Sequence, residues 1–264
     1  MEVGISIARA KLLISESKLN LSSENIHLDD VNGRILAEGL ISKVNDPRFN
    51  NSAMDGWAVK EADCQHAGET VLKIVGTIQA GAEQTISINP GEACKITTGA
   101  PMPDGADAIV IVENSKVEGN NVIISGQAKK SFIRIKGENL SKGKLALSKG
   151  TYMTPSAISL AATMGYDEVP VFRKPVIGII STGDELVMPT SEINEHQIFE
   201  SNSFGIAALV EKMGGKPIRY GIVTDSIDEL RETLNHAAED CDALITSGGV
   251  SMGCLLYTSP RPRD

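Results

Sequence analysis

Aromatic residues, histidine and cysteine are all scarce in this chain, and each shortage excludes a class of structure or site. Only 4% of the 264 residues are aromatic while 41% are hydrophobic, so the core must be mainly aliphatic. The four histidines are scattered without the spacing of metal ligands, which argues against a histidine metal site. The four cysteines form no C-x-x-C pair, so we expect neither a zinc site nor disulfides, but reduced thiols in a cytoplasmic protein.

Positive charge and long apolar runs are lacking as well. The formal net charge of -9 argues against non-specific nucleic-acid binding, which requires a basic surface. The apolar stretch around residues 157–162 is far too short to cross a membrane. We therefore expect neither a nucleic-acid nor a membrane partner.

Regions that differ in hydrophobic periodicity and turn residues predict a multidomain α/β fold. Residues 1–44 favour helix, because Ile5, Ala8 and Leu12 follow helical spacing and Ser6 can serve as the N-cap. Between residues 45 and 139, short β-rich runs alternate with turn signals, which predicts a small antiparallel barrel or sandwich. The clearest runs are 71–78, 93–97, 108–112, 122–124 and 132–135.

A further helix is predicted to begin after Thr154 and to end before Gly165. Thr154 suits the N-cap, Pro155 the first helical position, and Gly165 the left-handed residue that follows a helix. Because this segment matches the N-terminal region better than the β region, residues 140–172 are grouped with 1–44 in one helical or mixed domain. The all-β domain, residues 45–139, is thus predicted to be inserted between its halves.

From residue 173 the pattern changes to alternating strand and helix, which predicts parallel strands. The helix after Thr224 is predicted to open with a capping box from Ser226 to Glu229. We interpret residues 173–253 as an incomplete three-layer α/β domain. Its predicted strands are 176–180, 218–223 and 243–246, and a helix is predicted at 203–213.

The carboxyl ends of parallel strands meet at one edge of a sheet, where open α/β sheets bind ligands. The loops 181–185, 224–225 and 247–251 are predicted to lie at that edge. They carry glycines, hydroxyls and the carboxylates of Asp184, Glu185 and Asp225. Glycine and hydroxyl loops suit a phosphate and carboxylates suit Mg²⁺, so we expect a phosphorylated or nucleotide-bearing small molecule as ligand.

Each of these features also has an ordinary structural interpretation. Gly248-Gly249 is compatible with a simple turn, Asp225 with a favourable charge at a helix N-terminus, and Asp55-Gly56 with a common tight turn. The agreement of several loops on one edge is what favours binding.

Longer motifs resemble, in order and spacing, the molybdopterin molybdenumtransferase family, which includes MoeA and the gephyrin E-domain. They are NNSAMDGWAV, KITTGAPMPDGADAIV, STGDEL, ESNS and ITSGGVSMG, and the resemblance covers residues 1–253. It implies the last step of molybdenum cofactor biosynthesis, in which molybdate enters adenylylated molybdopterin, AMP is released and Mg²⁺ assists. It also implies a homodimer, a possible molybdopterin adenylyltransferase partner, and a molybdopterin-binding-like domain at 173–253.

By motif position, the resemblance also implies roles for individual residues. The implied catalytic residues are Asp55, Thr98, Glu185 and Asp225. The implied cofactor-binding residues are Thr182, Gly183, Ser247, Gly248, Gly249 and Ser251. The implied metal-binding residues are Asp184, Glu185 and Asn139.

This chain departs from the family pattern in two places. Family members usually read Gly-Glu-Asp where this chain has Gly137-Glu138-Asn139, and the amide is expected to weaken a cation role while keeping a hydrogen-bonding one. The family continues past the serine loop with a helix, whereas residues 254–264 carry prolines and no apolar stripe. We expect 254–264 to be a non-native tail on a C-terminally truncated, inactive fragment.

Two other functions remain open from the sequence. One is a scaffold or binding protein of the gephyrin type, although no partner-binding extension is visible. The other is a pterin- or nucleotide-binding α/β module of a different enzyme, against which the AMDG and TTGAPMP motifs argue.

Overall fold

The computed structural model describes residues 5–17, 19–65, 68–83, 86–224 and 226–248. Its contacts divide the chain into two compact units, Met1–Ala37 with Pro170–Asp264, and Glu38–Val169. These limits differ from the predicted domains 1–44 with 140–172, 45–139 and 173–253, which stay a prediction.

The N-terminal part of the first unit begins with a capped helix. Helix α1 spans Ile7–Glu16 and strand β1 spans Ser23–His27, followed by a 3-10 turn at Leu28–Asp30. The Ser6 side chain accepts a hydrogen bond from the Arg9 amide at 3.2 Å, which confirms the predicted N-cap. No residue of α1 is buried.

The described residues of the unit Glu38–Val169 form a six-stranded sheet, four short strands and one helix. The strands are β2 (Leu40–Ile41), β3 (Asn51–Ser52), β4 (Gly56–Val59), β5 (Thr70–Ile78), β6 (Glu92–Ile96), β7 (Ala108–Ile111), β8 (Ser115–Glu118), β9 (Asn121–Ile124), β10 (Ile133–Arg134) and β11 (Leu145–Leu147). The 3-10 turns are Glu61–Cys64, Val112–Asn114 and Lys130–Phe132, and helix α2 is Pro155–Thr163.

The large sheet has the order β7-β4-β6-β5-β9-β8. Its strands pair antiparallel except for β5 and β6, which run parallel, so the antiparallel prediction is wrong for this pair. The chain between Ile78 and Glu92 is long enough for the crossover that parallel neighbours require, whereas a hairpin needs only a few residues.

Strand β4 is buried on both faces of this sheet. On β4, Trp57 and Val59 belong to one hydrophobic cluster, and Ala58 between them belongs to another, as the alternation of side chains along a strand requires. Cys64 and Cys94 are buried free thiols. Burial raises the pKa of each thiol to about 11, so both are protonated, unreactive core residues.

Helix α2 has the predicted ends. The Thr154 hydroxyl accepts from the Ala157 amide at 3.3 Å, Pro155 occupies the first turn, and Gly165 follows the helix with φ of 88°. These are the local signals on which the sequence-based prediction of the helix rested.

The remaining elements form the α/β part of the first unit. They are β12 (Glu168–Phe172), β13 (Val176–Thr182), β14 (Leu186–Val187), β15 (Ile198–Phe199), α3 (Asn202–Lys212), β16 (Lys216–Val223), α4 (Ile227–Asp240) and β17 (Ala243–Ser247). Strand β13 lies between β16 and β17 and is parallel to both, which confirms the prediction of parallel strands. Leu230 and Ala237 of α4 pack on Ile180 and Val223.

The predicted capping box at the start of α4 is wrong. The Ser226 side chain makes no capping hydrogen bond. The Glu229 carboxylate instead accepts a hydrogen bond from the Thr224 hydroxyl. A local hydrogen bond from Thr224, at the end of β16, thus engages the carboxylate that the motif assigns to the cap.

Candidate functional site

The three parallel strands end together at one edge. In the strand register, Thr182 at the end of β13 is opposite Val223 of β16, and Ser181 is opposite Ser247 of β17. The loops that follow these strands therefore start side by side, as the parallel pattern predicted.

Thr182 carries a buried hydroxyl at this edge. The residue is 5% exposed, and its Oγ1 has no hydrogen-bond partner among the described residues. Gly248 lies directly against it with φ of 91°, and a Cβ at Gly248 would be 2.9 Å from that Oγ1. A buried hydroxyl without a partner is costly, and none of the described residues supplies one for Thr182.

The loop after β13 turns sharply and presents two acidic side chains. Leu186 donates its amide to the Gly183 carbonyl at 3.1 Å, and Ile198 donates to the Glu185 carbonyl at 2.9 Å. Asp184 and Glu185 are exposed. A Cβ at Gly183 would meet the Glu185 carboxylate at 2.7 Å, so the carboxylate folds back towards the glycine.

A polar cluster behind this edge was not predicted. Glu200 is 3% exposed, and its carboxylate accepts hydrogen bonds from the Ser203 amide at 2.7 Å, the Ser203 hydroxyl at 2.7 Å and the Ser181 hydroxyl at 3.0 Å. Burial most strongly raises the pKa of the Glu200 carboxyl, but these hydrogen bonds and the charge of Arg219 together lower its pKa below the usual value. The ESNS motif marked this segment for the family but indicated no role for its residues.

Asn202, from the same motif, reaches the edge itself. Its Nδ2 donates to the Ser247 hydroxyl at 2.8 Å, which joins the start of α3 to the end of β17. Asp225, Gly249 and Ser251 are predicted site residues that lie outside the described part of the chain, so their predicted roles stay predictions.

In the unit Glu38–Val169, the structure brings Asp55 and Thr98 together. The Thr98 amide donates to Asp55 Oδ1 at 2.7 Å, and both residues are exposed. Three backbone hydrogen bonds tie the TTGAPMP segment to the NNS segment: Gly99 to Ser52 at 2.8 Å, Ser52 to Ala100 at 3.0 Å and Met102 to Asn50 at 3.0 Å. The two motifs thus form one surface.

Asn139 lies in the same unit and is paired with Asp46. Its Nδ2 donates to Asp46 Oδ2 at 3.1 Å, and its backbone amide donates to the Asp46 carbonyl at 3.0 Å. The amide nitrogen of Asn139 thus faces a carboxylate of the protein itself, and its predicted role at a metal site stays a prediction.

The described ranges offer neither a cluster of metal ligands nor a membrane-spanning helix. These ranges contain no group of three or more histidine, cysteine, aspartate or glutamate side chains that could hold a metal ion. In the same ranges, no helix has the length and apolar character needed to span a bilayer.

Two known family models match the sequence of this chain. Residues 5–165 match the MoeA N-terminal region (domain I and II), and residues 178–254 match a probable molybdopterin binding domain. The chain belongs to the MoeA family. Its multidomain α/β fold is the MoeA fold that the motifs predicted, and the two matches together disfavour an isolated α/β module of another enzyme.

Individual MoeA relatives agree with this assignment. A molybdopterin molybdenumtransferase of Nostoc sp. is 38% identical over 239 residues, which cover 89% of this chain and 55% of that protein. One of Haemophilus influenzae is 35% identical over 253 residues, covering 95% of this chain and 62% of that protein. The crystal structure of the molybdopterin biosynthesis MoeA protein from Pyrococcus horikoshii OT3 matches 90% of this chain and 64% of its own, with a TM-score of 0.84 and 33% identity. This chain therefore spans less than two thirds of each relative.

Proposed function

We propose that this protein acts in molybdenum cofactor biosynthesis and inserts molybdate into adenylylated molybdopterin with release of AMP. The observation that carries the proposal is the edge where β13, β16 and β17 end together around the Thr182 hydroxyl, which has no partner among the described residues. The names of the MoeA relatives supply the substrate class, and the geometry supplies a place for a phosphorylated ligand.

The proposed pterin-phosphate loop follows β17. Close approach of Gly248 to Thr182 leaves no room for a side chain, and a glycine backbone of this kind suits phosphate binding through its N–H groups. Hydroxyl and backbone groups orient the ligand without adding charge of their own. The residues proposed for this binding are Thr182, Gly183, Ser247, Gly248, Gly249 and Ser251.

Asp184 and Glu185 are proposed to hold Mg²⁺. Magnesium prefers oxygen ligands, and it typically takes one or two protein carboxylates together with water and substrate phosphates, so two adjacent exposed carboxylates fit it. When bound, the ion would neutralise charge on the phosphate oxygens during release of AMP. Asn139 offers only an amide oxygen, because its nitrogen is engaged with Asp46.

The acidic residues Asp55, Glu185 and Asp225 and the neighbouring Thr98 are proposed to orient the reacting groups. Asp55 accepts from the Thr98 backbone, which leaves the Thr98 hydroxyl available for substrate. The proposal places the protein in the cytoplasm as a homodimer that receives its substrate from a molybdopterin adenylyltransferase. Exposed Ile7 and Ile14 on α1, a helix with no buried residue, support self-association.

The direct test adds adenylylated molybdopterin, molybdate and Mg²⁺ to purified protein and measures AMP by chromatography. AMP release should depend on both molybdate and Mg²⁺, and Asp55→Asn and Glu185→Gln should each reduce it by roughly tenfold or more. The proposal is rejected if a version extended to the length of the relatives releases no AMP.

Thr182→Val tests the ligand edge within this chain. Valine keeps the shape of threonine and removes the partnerless hydroxyl, so the free energy of unfolding should stay equal or rise by up to about 1 kcal/mol. Affinity for adenylylated molybdopterin should fall by roughly fivefold or more, because a hydrogen bond to the ligand is lost. Calorimetric titration and urea unfolding measure the two effects. Unchanged affinity would show that the hydroxyl does not contact the ligand.

A further inference from the structure

Glu200 combines deep burial with contacts to two different elements. Its carboxylate accepts from Ser203 on α3 through both the amide and the hydroxyl, and from Ser181 on β13. Arg219 of β16 reaches the same cluster, with its Nη1 3.5 Å from the Ser203 hydroxyl. This one side chain therefore connects the start of a helix to the end of the central strand.

The carboxylate also replaces the missing cap of α3. The N-cap residue Ser201 makes no side-chain capping bond, and Glu200 instead accepts the amide of Ser203 in the first turn. Amides of the first turn have no partner within a helix, and the helix N-terminus favours negative charge. Glu200 consequently determines where α3 begins.

The start of α3 in turn contacts the ligand edge. Asn202 donates to the Ser247 hydroxyl at 2.8 Å, and Ser247 is the register partner of Ser181. The chain of contacts from Ser181 through Glu200 and Asn202 to Ser247 thus links β13, α3 and β17. All four residues lie within one unit of the structure.

Burying a carboxylate between two elements costs desolvation free energy. Apolar side chains of similar volume commonly stabilise such a position as well or better. A carboxylate, however, offers one oxygen to the Ser203 amide and the Ser181 hydroxyl, and its second oxygen to the Ser203 hydroxyl. These hydrogen bonds fix the position of the start of α3 relative to the end of β13.

We infer that Glu200 is a positioning residue, which acts through Asn202 to hold Ser247 at the edge where the phosphorylated ligand binds. The inference rests on the proposed function for the identity of the ligand. The contacts themselves do not depend on it.

Hydrogen exchange tests the positioning link without any ligand. Glu200→Ala should accelerate amide exchange roughly tenfold at Ser203 and in residues 243–247. Glu211→Ala is the matched control, because Glu211 is an exposed glutamate on the same helix, and it should leave both segments unchanged. Unchanged exchange in residues 243–247 of Glu200→Ala overturns the inference.

A double-mutant cycle tests the connection to binding. Glu200→Ala and Asn202→Ala should each weaken the affinity for adenylylated molybdopterin by roughly tenfold, and the double variant should be no weaker than Glu200→Ala. Independent effects would multiply to roughly a hundredfold and would contradict an action through Asn202. Glu200→Gln, which retains an acceptor oxygen, should recover most of the affinity.

Failure of ligand binding and failure of Glu200→Ala to fold have different consequences. If a version extended to the length of the relatives binds no adenylylated molybdopterin, the proposed function fails and the exchange experiment alone decides the positioning link. If Glu200→Ala does not fold, Ser181→Ala removes only the hydrogen bond to β13. It should still accelerate exchange in residues 243–247, and its failure to do so overturns the inference.

Discussion

At the scale of single residues, close backbone approach explains the glycine of the AMDG motif. A Cβ at Gly56 would lie 2.0 Å from the Val110 carbonyl oxygen. The φ of Gly56 itself is not positive. The glycine therefore allows β7 to pair tightly with β4, and a flexible turn is not the reason for it. Asp55 is held next to this pairing, where its carbonyl accepts from the Val112 amide at 3.1 Å.

Asn139→Asp should expose the electrostatic reason for the amide at this position. The substitution would place two carboxylates within hydrogen-bond distance, so stability at pH 7 should fall by about 1 kcal/mol. The loss should disappear as pH falls below about 4, where carboxylates become protonated, and millimolar Mg²⁺ should reduce it at pH 7. Urea unfolding at both pH values, with and without Mg²⁺, measures this.

The control for this prediction is Asn235→Asp on the exposed side of α4, which adds the same charge away from Asp46. It should show neither the pH dependence nor the Mg²⁺ effect. Equal behaviour of the two variants would mean that the pairing with Asp46 does not matter.

At the scale of secondary-structure elements, the two predicted helix caps behave differently. Thr154→Ala removes a capping hydrogen bond and should lower the free energy of unfolding by about 1 kcal/mol. Ser226→Ala removes a side chain that makes no capping bond, so its effect should stay within about 0.5 kcal/mol. Chemical denaturation of both variants decides, and a larger loss for Ser226→Ala would restore the predicted capping box.

An ion pair joins three strands of the α/β part. Asp242, just before β17, accepts from Arg173 at 2.6 Å and from the Val176 amide at the start of β13 at 2.8 Å. The hydrogen bond from Arg173 is the main reason that the pKa of Asp242 lies below its usual value, and the Val176 amide lowers it further. Because the folded-state pKa is depressed, this stabilisation is present above the unfolded value of 3.8 and is lost as pH falls through the folded value.

Asp242→Asn should therefore cost about 2 kcal/mol of stability at pH 7. The difference from the unchanged chain should shrink as pH decreases below 4, when Asp242 of the unchanged chain becomes protonated in the folded state as well. Thermal or urea unfolding across pH 2 to 7, as far as the fold persists, gives the profile. Glu118→Gln, in an exposed pair with Lys116, serves as control and should have little effect at any pH.

At the scale of the whole molecule, the chain leaves and re-enters the first unit at one place. The Ala37 amide donates to the Pro170 carbonyl at 3.0 Å, so the two crossing points are neighbours. Residues 38–169 should consequently fold by themselves, with a cooperative thermal transition and β-type circular dichroism.

The predicted inserted domain, 45–139, is the matched fragment for comparison. It lacks the fully buried Leu40, Met153 and Met164, so it should be several kcal/mol less stable than 38–169. Equal stability of both fragments would instead favour the domain limits predicted from sequence.

The sequence was a good guide to elements with strong local signals. Thr154, Pro155 and Gly165 mark α2, and the apolar run at residues 176–180 indicates a strand buried among parallel neighbours. The predicted site edge followed from this pattern, because parallel strands must end on the same side. The motifs also indicated the family correctly.

Features that depend on contacts between distant residues could not be predicted from local sequence. The parallel pairing of β5 with β6 depends on the route of the intervening chain, and the contact of Asp55 with Thr98 joins residues far apart in sequence. The role of Glu200 was missed because one isolated glutamate before a helix carries no sign of its burial.

The sequence by itself determined the helices, most strands and the membership of the MoeA family, since periodicity, caps and motifs are local properties. Only the tertiary structure decided which polar groups find partners. Asn139 faces Asp46, Glu200 accepts from Ser181, and the Thr182 hydroxyl is left without a partner in the described residues. Hydrogen bonding in a folded core depends on which groups meet after packing, and local sequence contains no record of that meeting.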